Sequence, residues 1–142
     1  MTLLDANILL YAYNKSSPEH KTLAAWLGAL LSGTEPVCLP WVTLWAFMRI
    51  ATNPRIWPNP KSSNECFSIV RQLMAHPGVT IIEPGERHAE ILETLLIEQR
   101  VAGPLVTDAV LAALAIEVGA VLASTDRNFS RFGNLRWLNP LS

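Results

Sequence analysis

At 142 residues, half of them apolar and 16% charged, the chain is long enough to bury a core without disulfides and too apolar to be disordered. A formal net charge of −1 gives no overall basic field of the kind that advertises nucleic-acid binding, and Cys38 and Cys66 form neither a disulfide framework nor a CxxC pair. No apolar run reaches bilayer length, and MTLLDANILLYAY lacks a basic lead, so the expectation is a reduced, cytoplasmic protein with no membrane segment.

Residues 2–5 read as a short strand, with Asn7 as a cap for the turn or helix that follows. Ser17 as N-cap and Pro18 in the first turn open a helix whose inner face is Leu23, Leu27, Leu30 and Leu31; Gly33 ends it. Val37 to Leu39 is a second strand, closed by Pro40. Trp41 to Ala51 is a helix that is apolar almost all round, with Arg49 its only charge, so it is either central to the core or covered by a partner. NPRIWPNP is a loop that holds Trp57 near the surface.

Ser62 and Glu65 form a capping box at the start of the next helix, with Phe67, Val70, Leu73 and Met74 as its apolar face. His76-Pro77-Gly78 stops that helix, and Val79 to Ile82 is the third strand. Pro84-Gly85 leads into a helix over residues 87–100 with Ile91, Leu92, Leu95 and Leu96 inward. After Gly103-Pro104 comes a helix with Asp108 at its start and Leu111, Leu114, Ala115 and Val118 on one face, stopped by Gly119. Ala120 to Ala123 is a buried strand followed by Asp126, and Leu135 to Leu138 is a weak last strand. With no repeat, low-complexity tract or linker, residues 1–142 read as a single domain.

Strands alternating with helices predict an α/β fold with a mainly parallel sheet. Ligands of such sheets bind beyond the carboxyl ends of the strands, where the strand order reverses. Asp5 and Asp126 each follow a strand, and Asp108, the only other aspartate, can reach the same edge from a helix N-terminus. Asp108 and Asp126 also have plain structural roles, as an N-cap and a turn former. Asp5 is harder to explain that way, because a carboxylate within an apolar segment is costly unless something pairs with it. If the three converge, their mutual repulsion is resolved by a hard divalent cation such as Mg²⁺ or Mn²⁺. His20, His76 and His88 are too scattered for a zinc site, and no glycine-rich phosphate loop is present.

The segments LLDANILLYAY, LPWVTLWAFMRIATNPRIW, LVTDAVLAALAIEVGAVLASTDRNFSRF and LRWLNP together resemble PIN-domain ribonucleases, in particular the VapC toxins of type II toxin–antitoxin pairs. The resemblance covers nearly the whole chain. It implies a PIN-like three-layer sandwich with a mainly parallel four- or five-stranded sheet flanked by helices. It further implies an Mg²⁺- or Mn²⁺-dependent endoribonuclease silenced by a VapB-type antitoxin, with Asp5, Asp108 and Asp126 as catalytic, metal-holding residues. Two positions depart from the family pattern: Ala46 stands where many PIN domains carry a glutamate, and Asn128 where a further acidic residue is common.

On this reading Asn7 and Thr125 orient water or phosphate, and Arg49, Arg127 and Arg131 contact the RNA backbone, unless each arginine merely forms a surface ion pair. Trp41 and Trp45 are either core or, with Met48 and Trp57, a groove for an antitoxin helix; base stacking is a third role. The apolar surplus also fits a homodimer. Two rivals stand beside the nuclease. A phosphoacceptor domain of receiver type needs a late lysine, and none follows Lys61. A PIN-like module that binds RNA or antitoxin without efficient cutting is favoured by the missing carboxylate at position 46.

Overall fold

In the computed structural model, which describes residues 1–142, five strands form one sheet: β1 (Thr2–Leu4), β2 (Val37–Pro40), β3 (Val79–Ile82), β4 (Val121–Ala123) and β5 (Trp137–Leu138). Their order is β3-β2-β1-β4-β5, and every pairing is parallel. Parallel neighbours need crossovers. These are supplied by α1 (Ala6–Ala12), α2 (His20–Ser32), α3 (Trp41–Ala51), α4 (Ser63–Ala75), α5 (His88–Glu98) and α6 (Leu105–Val118), with a 3₁₀ turn over Arg127–Arg131.

Alternation along the strands divides the core between two faces. Leu4, Val37, Leu39 and Ala123 join Leu9, Leu23, Leu44, Phe47 and Val70 from α1 to α4. Leu3, Cys38 and Leu122 join Ile91, Leu95, Leu114, Phe129 and Phe132 on the other side. The result is the expected three-layer sandwich, with five strands and an all-parallel sheet. The sheet reverses direction of growth at β1, which has β2 on one side and β4 on the other.

Several local expectations change. The first strand stops at Leu4 because Asp5 caps α1, accepting from the Ala6 N–H at 2.7 Å; Asn7, expected as the cap, lies inside that helix. Ser17 closes a turn with Glu19 rather than capping α2, which begins at His20. The inner face of α4 is Cys66, Val70 and Leu73, leaving Phe67 and Met74 46% and 43% exposed, because they sit one position round the helix from the buried stripe. The helix expected over 87–100 shortens to α5, and the last strand to Trp137–Leu138. The capping box at Ser62 forms with both of its hydrogen bonds, and Gly119 takes the left-handed conformation at φ +72° that ends α6.

Candidate functional site

Asp5 and Asp126 follow β1 and β4, which are hydrogen-bonded neighbours with Leu4 opposite Ala123. Between them sits Ser124, fully buried. Its hydroxyl donates to Asp5 Oδ2 at 2.7 Å and accepts from Asn7 Nδ2 and from the Asp126 N–H, each at 3.0 Å. Asn7 Nδ2 also lies 3.2 Å from Asp5 Oδ2, while Asn7 Oδ1 accepts from the Thr125 N–H at 3.1 Å. Asp126 caps the 3₁₀ turn by accepting from the Asn128 N–H at 2.9 Å. One network therefore joins the ends of two strands, and it orients the Asp5 carboxylate through three donors.

Asp108 is not the cap of α6. Pro104 occupies the cap position and makes no side-chain bond, so the Asp108 carboxylate stays free of backbone duties in the first turn. It shares a cleft with Asp5, Thr43, Ala46 and Thr107. Thr43 fixes one wall by donating to the Leu4 carbonyl at 2.8 Å. Burial, then the charges of Asp126 and Asp5, push the Asp108 carboxyl up to about 6, with Arg131 acting in the opposite sense. Burial also raises Asp5, against the hydrogen bonds from Ser124 and Ala6 that lower it, and the charge of Asp126 adds to the rise. All three aspartates thus feel one another electrostatically.

Carboxylate oxygens in mutual repulsion are the donor chemistry that suits a hard divalent cation. No three His, Cys, Asp or Glu side chains are gathered closely enough to hold an ion as they stand. His20 and His76 are occupied locally, by the Tyr11 carbonyl and the Gly78 N–H.

Among the other candidates, Asn7 and Thr125 belong to the network, and Arg131 is near enough to offset the repulsion at Asp108. Arg127 is exposed beside Asp126. Arg49 instead lines a separate pocket between α3 and α4 with Met48, Thr52, Cys66 and Phe67. None of these arginines is in an ion pair; the single pair in the chain joins the Met1 amino group to Glu35. Ala46 does line the aspartate cleft. The tryptophans divide. Trp41 and Trp45 stack at 6.5 Å and line a groove between α3 and α6 that Met48 and Trp57 do not line, while Trp41, Met48 and Trp57 all pack half-buried against the core cluster of α1 to α4. Of the roles open to these side chains, Trp41 takes part in the core, and the groove is lined by Trp41 and Trp45 without Met48 or Trp57.

Ser124 was not among the expected site residues. Its signal was a hydroxyl directly after an apolar strand and two positions before an aspartate, a pattern too common among turns to single it out.

The PIN domain family matches residues 2–135 of the chain. Ribonuclease VapC37 of Mycobacterium tuberculosis is 41% identical over 140 residues, covering 99% of this chain and 97% of the relative. Ribonuclease VapC31 of the same species is 39% identical, covering 99% of both. Among solved structures, VapBC2 from Rickettsia felis bound to a fragment of promoter DNA gives a TM-score of 0.73 at 20% identity over 97% of both chains. Mycobacterium tuberculosis VapC20, a Sarcin-Ricin loop cleaving toxin, gives 0.70 at 14% identity, covering 96% of this chain and 99% of that one. At such identities the structures speak to the fold.

Proposed function

The chain belongs to the PIN-domain family, and on that premise we propose that it is a VapC-type toxin: a metal-dependent endoribonuclease that hydrolyses RNA phosphodiester bonds under the control of a cognate antitoxin. The observation that carries this reading is the meeting of Asp5 and Asp126 through Ser124 at the ends of adjacent strands, with Asp108 electrostatically coupled to both. Residues 1–142 act as one PIN-like domain. Its relatives bearing the name ribonuclease VapC, matched end to end, support the activity.

Asp5 and Asp108 would hold the ion, Mg²⁺ or Mn²⁺, with Asp126 as the third carboxylate. Such an ion would supply Lewis-acid chemistry, activating water and offsetting charge that builds on the phosphoryl oxygens. Ser124 and Asn7 keep the Asp5 carboxylate turned to the cleft, and the Thr125 backbone is fixed by Asn7. Arg131, whose charge acts against the repulsion at Asp108, and the exposed Arg127 next to Asp126 would meet the RNA backbone and offset the repulsion between carboxylates and phosphate. Asp5→Asn, which keeps the shape of the side chain, should abolish cleavage while leaving the circular dichroism spectrum intact. Undiminished cleavage by that variant would refute the assignment.

The antitoxin would cover the α3–α4 face, where Ile56, Phe67 and Met74 are exposed and Arg49 has no acidic partner within the chain. Self-association as a homodimer and a cytoplasmic location belong to the same reading. No helix is long and apolar enough to cross a membrane. One second reading has a specific observation behind it: Ala46 leaves the cleft short of a carboxylate, which favours a module that binds RNA or antitoxin and cuts weakly. Cleavage assays with Mn²⁺ and with EDTA separate the two.

A further inference from the structure

Two adjoining depressions run between α3 and α6. On α3, Val42 and Ala46 face the aspartate cleft while Trp41 and Trp45 face the groove; on α6, Asp108 and Leu111 face the cleft while Val110 and Leu114 face the groove. Residues four apart share a helix face, and sequence neighbours are turned by about 100°. The groove, of about 540 Å³, therefore continues from the cleft along the same two helices, with Val42 bordering both. Its aromatic wall is the stacked pair, rings 29° apart, of which Trp45 is 62% exposed. Glu83, just after β3, stands at its edge, exposed and in no ion pair.

We propose that this groove takes one unpaired nucleobase of the RNA, next to the phosphate in the cleft, with Trp45 as the stacking platform and Glu83 selecting guanine. The inference rests on the nuclease reading, because the groove adjoins the cleft that would hold a phosphate at Asp5 and Asp108, with Val42 lining both. Stacking supplies affinity without choice, since every base has a π-face. Choice falls to Glu83, whose ionised carboxylate only accepts hydrogen bonds. Guanine offers two adjacent donors on its Watson–Crick edge, N1–H and the N2 amino group, which match the two carboxylate oxygens. Adenine and cytosine place a ring-nitrogen lone pair beside their amino group, facing the second oxygen. Uracil has one N–H flanked by two carbonyls. Both mismatches leave a carboxylate oxygen against another acceptor.

The test is binding of fluorescein-labelled pentauridylate, and of the same pentamer with guanine, adenine or cytosine at each position in turn, followed by anisotropy. The full chain is used with chelator present, so the readout does not depend on cleavage. Guanine at one position should bind at least about fivefold tighter than any other base there, and Trp45→Ala should weaken that pentamer by about tenfold or more. Trp45→Phe should retain most of the affinity, and Glu83→Gln should remove the guanine preference while leaving pentauridylate binding unchanged. Equal binding of all pentamers, or a preference that survives Glu83→Gln, overturns the proposal. So does a Trp45→Ala variant that binds RNA normally but changes the mass of the chain in solution or its hold on an antitoxin, which would give the groove to a protein. Cleavage measured separately with Mn²⁺ reports on the nuclease reading alone.

Discussion

The hydroxyl of Ser124 donates to Oδ2 of Asp5 at 2.7 Å although 119 residues of chain separate them. The same oxygen accepts from the Asp126 N–H, so one buried atom ties together two of the three aspartates. Ser124→Ala should therefore cost about 1–3 kcal/mol of stability, the range for removing a buried partner of a charged group. Cleavage should fall at least about tenfold as Asp5 loses its orientation. Urea midpoints and initial cleavage rates measure the two; a variant as active as the native chain would show that Asp5 is held without the serine.

Asp108 sets a pH dependence of unusual sign. Its folded value of about 6 lies above the ordinary 3.8, so the folded chain binds this proton more tightly than the unfolded chain does. The stabilising effect is complete below the unfolded value and is lost as pH rises through the folded one. Asp108→Asn should flatten that decline. At neutral pH it should add up to ~1 kcal/mol, discounted for the solvent that reaches this carboxylate. Denaturant midpoints at about pH 4 and about pH 7 give the comparison, and equal slopes in both proteins would contradict it.

Divalent ions should reverse that penalty. An ion that binds only the folded chain adds ~2.7 kcal/mol at a hundredfold excess over its dissociation constant. Thermal midpoints should rise with Mn²⁺ or Mg²⁺ at neutral pH, fall back on adding EDTA, and stay flat in Asp108→Asn. Because the ligands must be deprotonated, the rise should fade, and cleavage with it, as pH drops below about 6. A midpoint that ignores both ions at neutral pH would remove the metal from the proposal.

Ala46 lines the cleft that Asp5 and Asp108 share, so Ala46→Glu would put a further carboxylate there. Without metal the variant should be less stable than the native chain, because another like charge joins the cluster. With Mn²⁺ the order should invert, and calorimetry should show tighter binding and faster cleavage. Unchanged metal affinity would mean that position 46 does not reach the ion.

Short-range chemistry was readable in the linear chain. The capping box at Ser62, the left-handed stop at Gly119, the strand closed by Pro40 and the length of α3 all depend on residues within a few positions of one another. The parallel α/β class followed from the alternation of such segments. Which side of a helix faces inward was less legible where two apolar stripes adjoin. Phe67 and Met74 look as apolar as Val70 and Leu73, yet only the latter pair meets the core.

The linear sequence by itself determined that the chain has only three aspartates, two of them just after apolar strand segments and one at the start of a helix, which made them the candidates for a shared acidic site. Only the tertiary structure decided how they stand. Strand order made β1 and β4 neighbours, and their pairing brought Ser124 between Asp5 and Asp126. It also gave the cap of α6 to Pro104, leaving Asp108 free to feel the other two, and kept Met48 and Trp57 out of the groove that Trp41 and Trp45 line. The physical reason is distance along the polymer: a cap or a turn is settled by neighbouring residues, whereas the partner of a buried carboxylate is chosen by whichever segment the sheet sets beside it.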